Sequence, residues 1–313
     1  MKVSTIGYAA LLLFGLALPL LGIYPVLAMQ MLCFAMFACA FNLLLGFAGM
    51  LSFGHAAFFG FAAYTTSWLV STRGWDSLGA IGAGVAAAAL MGAVVGAIAI
   101  RRQGIYFAMI TLALAQLVYF VCLQAPFTGG ENGIQGVRRG SLLGLVALRS
   151  DVVMYYFVFA LFVAVFLFIR RIVHSPYGQV LKAIRENEPR AVSLGYDVDR
   201  YKLLAFVLSA AIAGLAGSLK AMTLGLATLT DVQQGTSGEV ILMTLLGGTG
   251  TFLGPAIGAF TVVGLQQLLA DHVGSWVTVI IGAIFVVCVV AFRRGFVGEL
   301  LAWWQRRGAR AEP

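Results

Sequence analysis

Charged residues are scarce in this chain. Only 10% of its 313 residues are Asp, Glu, Lys or Arg, whereas an ordinary soluble domain has about 25%. The chain therefore lacks the polar surface that a folded domain needs in water, which excludes a soluble enzyme, a nucleic-acid-binding protein and a disordered linker. Only 7 prolines accompany the 38 glycines, so the glycines do not indicate low-complexity disorder. The mean hydropathy of +0.97 indicates an all-α polytopic membrane protein.

Sequence patterns for nucleotide binding, catalysis and metal binding are also missing. No G-x-x-x-x-G-K-[ST] occurs, so the chain has no Walker loop for ATP phosphates. The 3 histidines are scattered, which argues against a membrane-embedded enzyme and provides no metal site. The 4 cysteines lie in apolar runs without metal-ligand spacing, and we interpret them as small hydrophobes rather than disulfide partners: Cys33, Cys39, Cys122 and Cys288.

The pattern of paired acids inside spans that proton-coupled carriers commonly use is absent. Glu239 and Asp271 are the only acids near apolar runs. The predicted topology places both near the outer interface, so we expect them to be solvated there rather than to relay protons.

The apolar runs predict eight or ten membrane-spanning helices. A helix needs about 20 apolar residues to cross the hydrocarbon. Seven stretches and a final one at 274–292 meet that length: 6–23, 25–45, 55–71, 78–100, 104–124, 151–169 and 201–224. The first is interpreted as a retained helix, because no A-x-A-like cleavage site follows it. The stretch 237–270 is broken by GGTG at 247–250, so it forms either two tilted crossings or one re-entrant pair.

Lysine and arginine predict the orientation of these spans. Fifteen of them fall on the side that carries the 170–202 loop and the basic tail 293–313, and five fall on the other side. Acidic residues divide evenly. By the positive-inside rule, both termini are expected in the cytoplasm.

The cytoplasmic loop at 170–200 has the pattern of two short amphipathic helices. Pro189 is expected to end the first and open the second, and Gly195 to stop the second. The apolar face comprises Val180, Leu181, Ile184, Ala191 and Val192, while the residues expected to face away are Lys182, Arg185, Glu186 and Glu188. Because the charges largely cancel, the pattern favours docking on a protein over lying on an anionic membrane.

Two glycine runs at 42–64 and 245–260 have similar spacing. Their candidate residues for a translocation path are Asn42, Gly46, Gly49, Ser52, His55, Gly247, Gly248 and Gly250. Corresponding glycine interruptions in two halves of a carrier indicate a substrate path. The alternative is that the glycines only allow close helix approach. For His55, a packing role is favoured over a ligand contact.

Two further patterns concern packing and the external loop. Small residues recur every fourth position at Gly84, Ala88, Gly92 and Gly96, and again at Ala210, Gly214 and Ser218. These stripes predict close helix contact, within the chain or with a partner.

The external loop 125–150 contains TGGENGI, in which Gly129 and Gly130, beside Asn132, permit positive φ and close backbone approach.

These segments together resemble the permease subunits of branched-chain amino acid ABC importers, of the LivM type. The similar segments are NLLLGFAGMLSFGHAAFFGFAAY (42–64), TGGENGI (128–134), SPYGQVLKAIRENEPRAVSLG (175–195) with YKLLAFVLSAAIAGLAGSL (201–219), and LLGGTGTFLGPAIGAF (245–260). The resemblance implies a type II importer permease, in which residues 1–313 form a single transmembrane domain of the bacterial inner membrane.

The resemblance also implies partners. They are a second permease of the same fold, two ATP-binding subunits that hold ATP and Mg²⁺, and an extracytoplasmic solute-binding protein; the chain itself binds no cofactor. The coupling loop at about 175–199 would dock on the ATPase through Ile184, Arg185, Glu186, Asn187, Glu188, Arg190, Ala191 and Gly195. Such loops carry an E-A-A-x-x-x-G pattern, of which this chain keeps the second alanine and the glycine.

The expected function is therefore transport without covalent catalysis. The resemblance implies ATP-driven import of branched-chain or related amino acids. A permease for urea or another small solute in the same family is one alternative, and a stand-alone secondary transporter or channel is another. A secondary transporter would not need the 175–199 loop and should carry coupling groups inside its spans.

Overall fold

The computed structural model describes residues 24–142, 146–148 and 150–291, together with residue 15. The predicted span 6–23, apart from residue 15, and the basic tail 293–313 lie outside the described residues. The side of the membrane on which the termini lie therefore stays a prediction.

Helices make up most of the described chain, and their bounds follow the predicted spans closely. They are α1 (Pro25–Asn42), α2 (Ala56–Arg73), α3 (Ser77–Ala99), α4 (Ile105–Gln124), α5 (Asp151–His174), α6 (Pro176–Glu186), α7 (Glu188–Ser193), α8 (Val198–Leu224), α9 (Gln234–Gly247), α10 (Gly254–Val273) and α11 (Val277–Ala291). Helix α1 continues into a π-helical turn at Leu43–Phe47. Within the described ranges, five helices are long and apolar enough to cross a membrane: α1 with its π-turn, α3, α4, α5 and α8.

The helices run between two ends of a bundle. We call one the basic end; it contains Arg101 and Arg102 and the two-helix segment formed by α6 and α7. The opposite end contains the connections 73–77, 124–150 and 224–234. At the opposite end, Ser77 accepts a hydrogen bond from the Gly140 amide at 3.0 Å. This contact places the start of α3 beside the 124–150 connection.

Small residues allow α3 and α8 to pack closely. An added Cβ at Gly92 would lie 2.5 Å from Cβ of Ala210, and one at Gly214 would lie 2.4 Å from Cβ of Ala88. One at Gly84 would lie 2.6 Å from Oγ of Ser218. The two predicted stripes therefore face each other in antiparallel helices, and the predicted close contact is made within the chain.

The ambiguous stretch 237–270 forms a helical hairpin. Helices α9 and α10 are antiparallel, since an added Cβ at Gly247 would lie 1.8 Å from the Gly254 carbonyl oxygen and one at Gly258 would lie 1.9 Å from that of Met243. The connection 248–253 lies at the basic end, where the Phe252 ring stacks on His174 with centroids 5.2 Å apart. The hairpin thus extends from the opposite end to the basic end and back.

Short strands tie the connections of the opposite end together. Strand β1 (Ile134–Gln135) pairs antiparallel with β4 (Leu226–Ala227), and β2 (Ser141–Leu142) pairs with β3 (Val146–Ala147). An added Cβ at Gly133 would lie 2.2 Å from the Ala227 carbonyl oxygen. These two-residue strands are a small departure from the predicted all-α fold. They fix the external loop against the end of α8.

Candidate functional site

The two glycine runs meet at the basic end. The side-chain amide of Asn42 donates to the carbonyl of Thr251 at 2.8 Å and accepts from the amide of Gly250 at 2.9 Å. Asn42 is 3% exposed, so these bonds satisfy a buried side chain. One amide thus connects the end of α1 to the tip of the hairpin, 208 residues away in sequence.

Glycine is required where these segments touch. An added Cβ at Gly46 would lie 2.1 Å from Oδ1 of Asn42 and 2.6 Å from the Gly250 nitrogen. Gly49 and Gly250 have φ of +73° and +76°, which side chains with a Cβ rarely adopt. We call this contact the glycine junction, and it comprises Asn42, Gly46, Gly49 and the backbone at 248–251. Close approach, the alternative interpretation of these runs, is observed at Gly46, Gly49 and Gly247, and Gly248 and Gly250 have positive φ. The role of these residues in a translocation path stays a prediction.

Arg185 connects the two-helix segment to the glycine junction. Its guanidinium donates to the Gly46 carbonyl, and an added Cβ at Gly49 would lie 2.9 Å from Cγ of Arg185. The guanidinium also lies beside Gly250. Arg185 is exposed, as predicted, but the sequence pattern did not predict that its guanidinium reaches the Gly46 carbonyl in the π-helical turn.

The two-helix segment has the predicted boundaries. Helix α6 ends at Glu186, the side chain of Asn187 accepts from the Arg190 amide at 3.1 Å, and Pro189 lies in the first turn of α7. Gly195 follows with φ of +86°. Tyr177 in α6 donates to the Tyr201 carbonyl at 2.9 Å, and burial, with Tyr201 nearby, raises the pKa of its phenol. The segment is thereby anchored on the start of α8.

Its apolar face is only partly as predicted. Leu181, Ile184 and Ala191 are buried, and Ile184 and Ala191 pack with Val198 of the same chain. Val192, by contrast, is 58% exposed. Because the side chain of Ala191 is buried by its own chain, it is not available for contact with another protein. The prediction that Ala191 reaches a partner is corrected accordingly.

Glu188 is a second link between the two-helix segment and the bundle. Its carboxylate accepts from Nζ of Lys202 at 2.6 Å and from Nε2 of Gln103 at 2.7 Å. The Lys202 side chain is 7% exposed, so this ion pair is largely shielded from water. Glu188 was predicted to face away, and sequence reasoning missed both of its partners. No local pattern marks Lys202 or Gln103, since the three residues come together only in the fold.

A cavity of about 600 Å³ lies beside these contacts. It is lined by the irregular chain after Gly49, the turn between α3 and α4, and the two-helix segment. Its charged lining residues are Arg102, Arg185, Glu188 and Lys202. The basic end therefore combines an open volume with the side chains that hold the two-helix segment.

Exposed side chains of the two-helix segment and the turn after it form an outward surface. Val192, Leu194 and Tyr196 are 58%, 68% and 42% exposed, and the sequence-predicted residues Glu186, Asn187 and Arg190 are exposed as well. We call Val192, Leu194 and Tyr196 the apolar patch. Large apolar side chains grouped with charges on an exposed loop are typical of a protein interface.

His55 and Ser52 lie deep in the bundle. Nε2 of His55 is 2.9 Å from Oγ of Ser209, and the ring packs against several aromatic rings: Phe37, Phe41, Phe58 and Phe206. Nδ1 of His55 and Oγ of Ser52 have no hydrogen-bond partner among the described residues. The geometry supports the packing role for His55.

The external loop has the predicted backbone. Gly129 and Gly130 have φ of +76° and +60°, and the Asn132 carbonyl accepts from Nε2 of Gln135 at 3.3 Å. An added Cβ at Gly129 would lie 2.4 Å from the Gly133 carbonyl oxygen. The loop is compact and lies at the opposite end from the glycine junction, so it does not take part in that site.

Buried charges at the opposite end were missed in the sequence. Nζ of Lys220 lies 2.5 Å from the Asp231 carboxylate, and their side chains are 8% and 5% exposed. Asp231 also accepts from the Thr228 amide at 3.2 Å.

Glu239, predicted to be solvated, is half-buried and accepts from Nε2 of Gln266 at 3.3 Å. The side chain of Asp271 lies outside the described residues.

Long apolar helices packed through small residues define a multi-pass membrane protein. A family model for the permease component of branched-chain amino acid transport systems matches residues 24–289. The chain belongs to this family, as the sequence resemblance predicted.

Curated relatives are similar over most of the chain. The high-affinity branched-chain amino acid transport system permease protein LivM of Salmonella typhimurium is 29% identical over 310 residues, covering 90% of this chain and 72% of that protein. The Escherichia coli protein of that name is 30% identical, covering 80% and 64%. A probable LivM of Methanocaldococcus jannaschii is 30% identical, covering 58% and 54%. The chain thus spans less than two thirds of the latter two relatives. No solved structure matches it.

Proposed function

We propose that this chain is one half of a heterodimeric pore in an ATP-driven importer of branched-chain or related amino acids. Its partners are a second permease of similar fold, two ATP-binding subunits and an extracytoplasmic solute-binding protein. The complex resides in the bacterial inner membrane. ATP and Mg²⁺ are held by the ATP-binding subunits, and this chain moves the solute without a covalent step. Membership of the permease family supports this proposal.

The observation that carries the proposal is the position of Arg185. It lies on an exposed two-helix segment, yet its guanidinium donates to the Gly46 carbonyl inside the glycine junction. A segment that only covered the end of the bundle would not need a charged side chain between the π-helical turn at Gly46 and the hairpin tip at Gly250. We infer that α6 is the coupling helix.

A displacement of α6 has a direct route into the bundle. Arg185 is hydrogen-bonded to Gly46 in the π-helical turn that follows α1, so movement of α6 would move that turn. Asn42 in turn bonds the hairpin tip at Gly250 and Thr251. The neighbouring cavity of about 600 Å³ provides volume for this movement. ATP-driven closure of the ATP-binding subunits would thereby reorient α1 and the hairpin α9–α10. This reorientation would open the path to one side of the membrane at a time, as an alternating-access mechanism requires.

The apolar patch is the surface proposed to dock on the ATP-binding subunit. Leu194→Glu should place an unpaired carboxylate in the contact without disturbing the chain, because Leu194 is 68% exposed. Burying an unpaired carboxylate in such a contact typically costs about 2 kcal/mol or more, which corresponds to about thirtyfold in affinity. We expect the purified variant to retain its fold and to lose both co-purifying ATP-binding subunits and leucine uptake.

The matched control is Thr72→Glu, which adds a carboxylate at an exposed position of the opposite end and should leave both measurements unchanged. Full binding and full uptake by Leu194→Glu would contradict the docking role. Uptake by the chain alone in proteoliposomes, without ATP-binding subunits, would instead favour the secondary transporter.

A further inference from the structure

The cavity at the basic end has a charged wall and an apolar wall. Its volume of about 600 Å³ is in the range of cavities that hold small ligands. On the charged wall, three cationic side chains, Arg102, Arg185 and Lys202, accompany one acidic side chain, Glu188. The apolar wall contains Met50, Leu51, Phe53, Ile105 and Phe107. The lining is therefore amphipathic, with positive charge in excess.

The two arginines of the charged wall keep free hydrogen-bond donors. The Glu188 carboxylate is already bonded to Lys202 and Gln103. Arg185 uses one of its guanidinium nitrogens for the Gly46 carbonyl, and the side chain of Arg102 makes no hydrogen bond or ion pair with any residue that the structure describes. A guanidinium has five N–H donors. Donors and charge therefore remain for an anion in the open volume.

The start of α4 adds partial positive charge to the same cavity. Gly104, which precedes the helix with φ of +61°, is one of the lining residues. No described side chain caps the first amides of α4, and its first turn contains no acidic residue. The amino end of a helix carries about half a positive charge. This end is not neutralised by the described chain, so it reinforces the preference of the arginines for an anion.

The apolar wall continues along the outside of α4. Ile105 lines the cavity and is 71% exposed, so the cavity opens on the outer surface of this helix. Every fourth residue from there is exposed as well: Met109, Ala113, Leu117 and Val121. Residues four apart lie on one face of a helix, so these side chains form a continuous apolar row.

The length of α4 places the cavity at the level of lipid headgroups. Its 20 residues span about 30 Å, which is the thickness of the hydrocarbon core. The first residue of α4, Ile105, therefore lies where the hydrocarbon ends at the basic end. An acyl chain can follow the apolar row while its headgroup occupies the cavity.

We propose that this cavity binds the phosphate of an anionic membrane phospholipid. The phosphate accepts from Arg102 and from the free donors of Arg185, since guanidinium groups match phosphate oxygens in charge and geometry. Basic pockets between membrane helices are typical sites for anionic headgroups. The bound lipid thereby joins the turn between α3 and α4 to α6. The site goes beyond solute import and does not depend on it.

Lipid binding to the purified full chain tests this site without ATP or transport. The chain in neutral detergent at physiological salt is titrated with dioleoyl phosphatidylglycerol or with zwitterionic dioleoyl phosphatidylcholine, and native mass spectrometry counts the bound lipids. The test variant is Arg102→Gln. The matched control is Arg101→Gln, which removes the same charge from the neighbouring exposed residue that does not line the cavity.

We expect phosphatidylglycerol to bind at least tenfold more tightly than phosphatidylcholine. Arg102→Gln should weaken phosphatidylglycerol binding about fivefold or more, whereas Arg101→Gln should change it less than twofold, because salt screens charges outside the contact. Equal losses in the two variants, or equal binding of the two lipids, would overturn the proposal. Displacement of the lipid by millimolar inorganic phosphate would show that free phosphate is the ligand and would overturn the lipid assignment.

Discussion

At the opposite end of the bundle, Lys220 and Asp231 form a buried ion pair and strands β1 and β4 join the external loop to the end of α8. At the basic end, the Glu188–Lys202 ion pair holds α7 against α8, but α6, α1 and the hairpin tip contact one another only through glycine backbone, one asparagine amide and one arginine among the contacts described above, and a cavity of about 600 Å³ lies beside them. Buried charges are costly to separate, whereas glycine contacts beside an open volume can shift. We therefore infer that α6, α1 and the hairpin tip can shift relative to one another at the basic end, whereas the connections at the opposite end are fixed.

Arg139 strengthens this contrast. Its guanidinium donates to the Thr223 carbonyl at 2.7 Å and to the Met222 carbonyl at 3.3 Å, and it pairs with Asp151. It thus caps the end of α8 and holds the start of α5 in place. Movement driven from the basic end would therefore pivot about the opposite end.

The largest expected effect comes from breaking the fixed end. Lys220→Met leaves the buried Asp231 carboxylate without its counter-charge, which typically costs about 4 kcal/mol. The matched control is Arg200→Met at the exposed pair with Asp197, where the side chains are 86% and 51% exposed. Loss of such an exposed pair lowers the free energy of unfolding by about 1 kcal/mol or less. Thermal unfolding in detergent should separate the two variants clearly. Equal stability would show that the Lys220–Asp231 pair does not fix this end.

A smaller effect is expected at the adjustable end. Gly46→Ala adds a Cβ that would lie 2.6 Å from the Gly250 nitrogen, so the hairpin tip must move, at a typical overpacking cost of about 1–3 kcal/mol. Gly82→Ala in α3 is the matched control, because its added Cβ meets nothing within 4 Å. We expect Gly46→Ala to assemble but to import leucine poorly, and Gly82→Ala to resemble the unmodified chain. Lost assembly in Gly46→Ala would favour a purely packing role for the junction.

Hydropathy and spacing could predict much of the fold. The helix bounds follow the apolar runs, Pro189 and Gly195 mark the ends of α7 as expected, and the small-residue stripes of α3 and α8 contact each other. The helix bounds and the stripes themselves are local patterns, set by neighbours within one or two turns. The positive-inside assignment of the termini depends on residues outside the described ranges and stays a prediction.

The site could be predicted only in part. The glycine runs were recognised, but their mutual contact through Asn42 joins positions 208 residues apart, which one sequence does not reveal. The helical periodicity of α6 predicted an exposed Arg185, as observed, but it could not predict the bond to the Gly46 carbonyl, which lies 139 residues away in sequence. The pair of Lys220 and Asp231 was missed because a hydropathy window averages a single charge into an apolar run.

The ratio of leucine imported to ATP hydrolysed tests the coupling role of Arg185 most directly. Arg185→Met keeps much of the side-chain volume but removes the donor to Gly46, a charge-assisted bond of about 1.5–3 kcal/mol. In proteoliposomes that contain the full complex, we expect Arg185→Met to bind the ATP-binding subunits and hydrolyse ATP, while its leucine-to-ATP ratio falls about tenfold. A ratio equal to that of the unmodified complex would contradict the account, because movement of α6 would then reach the bundle without Arg185.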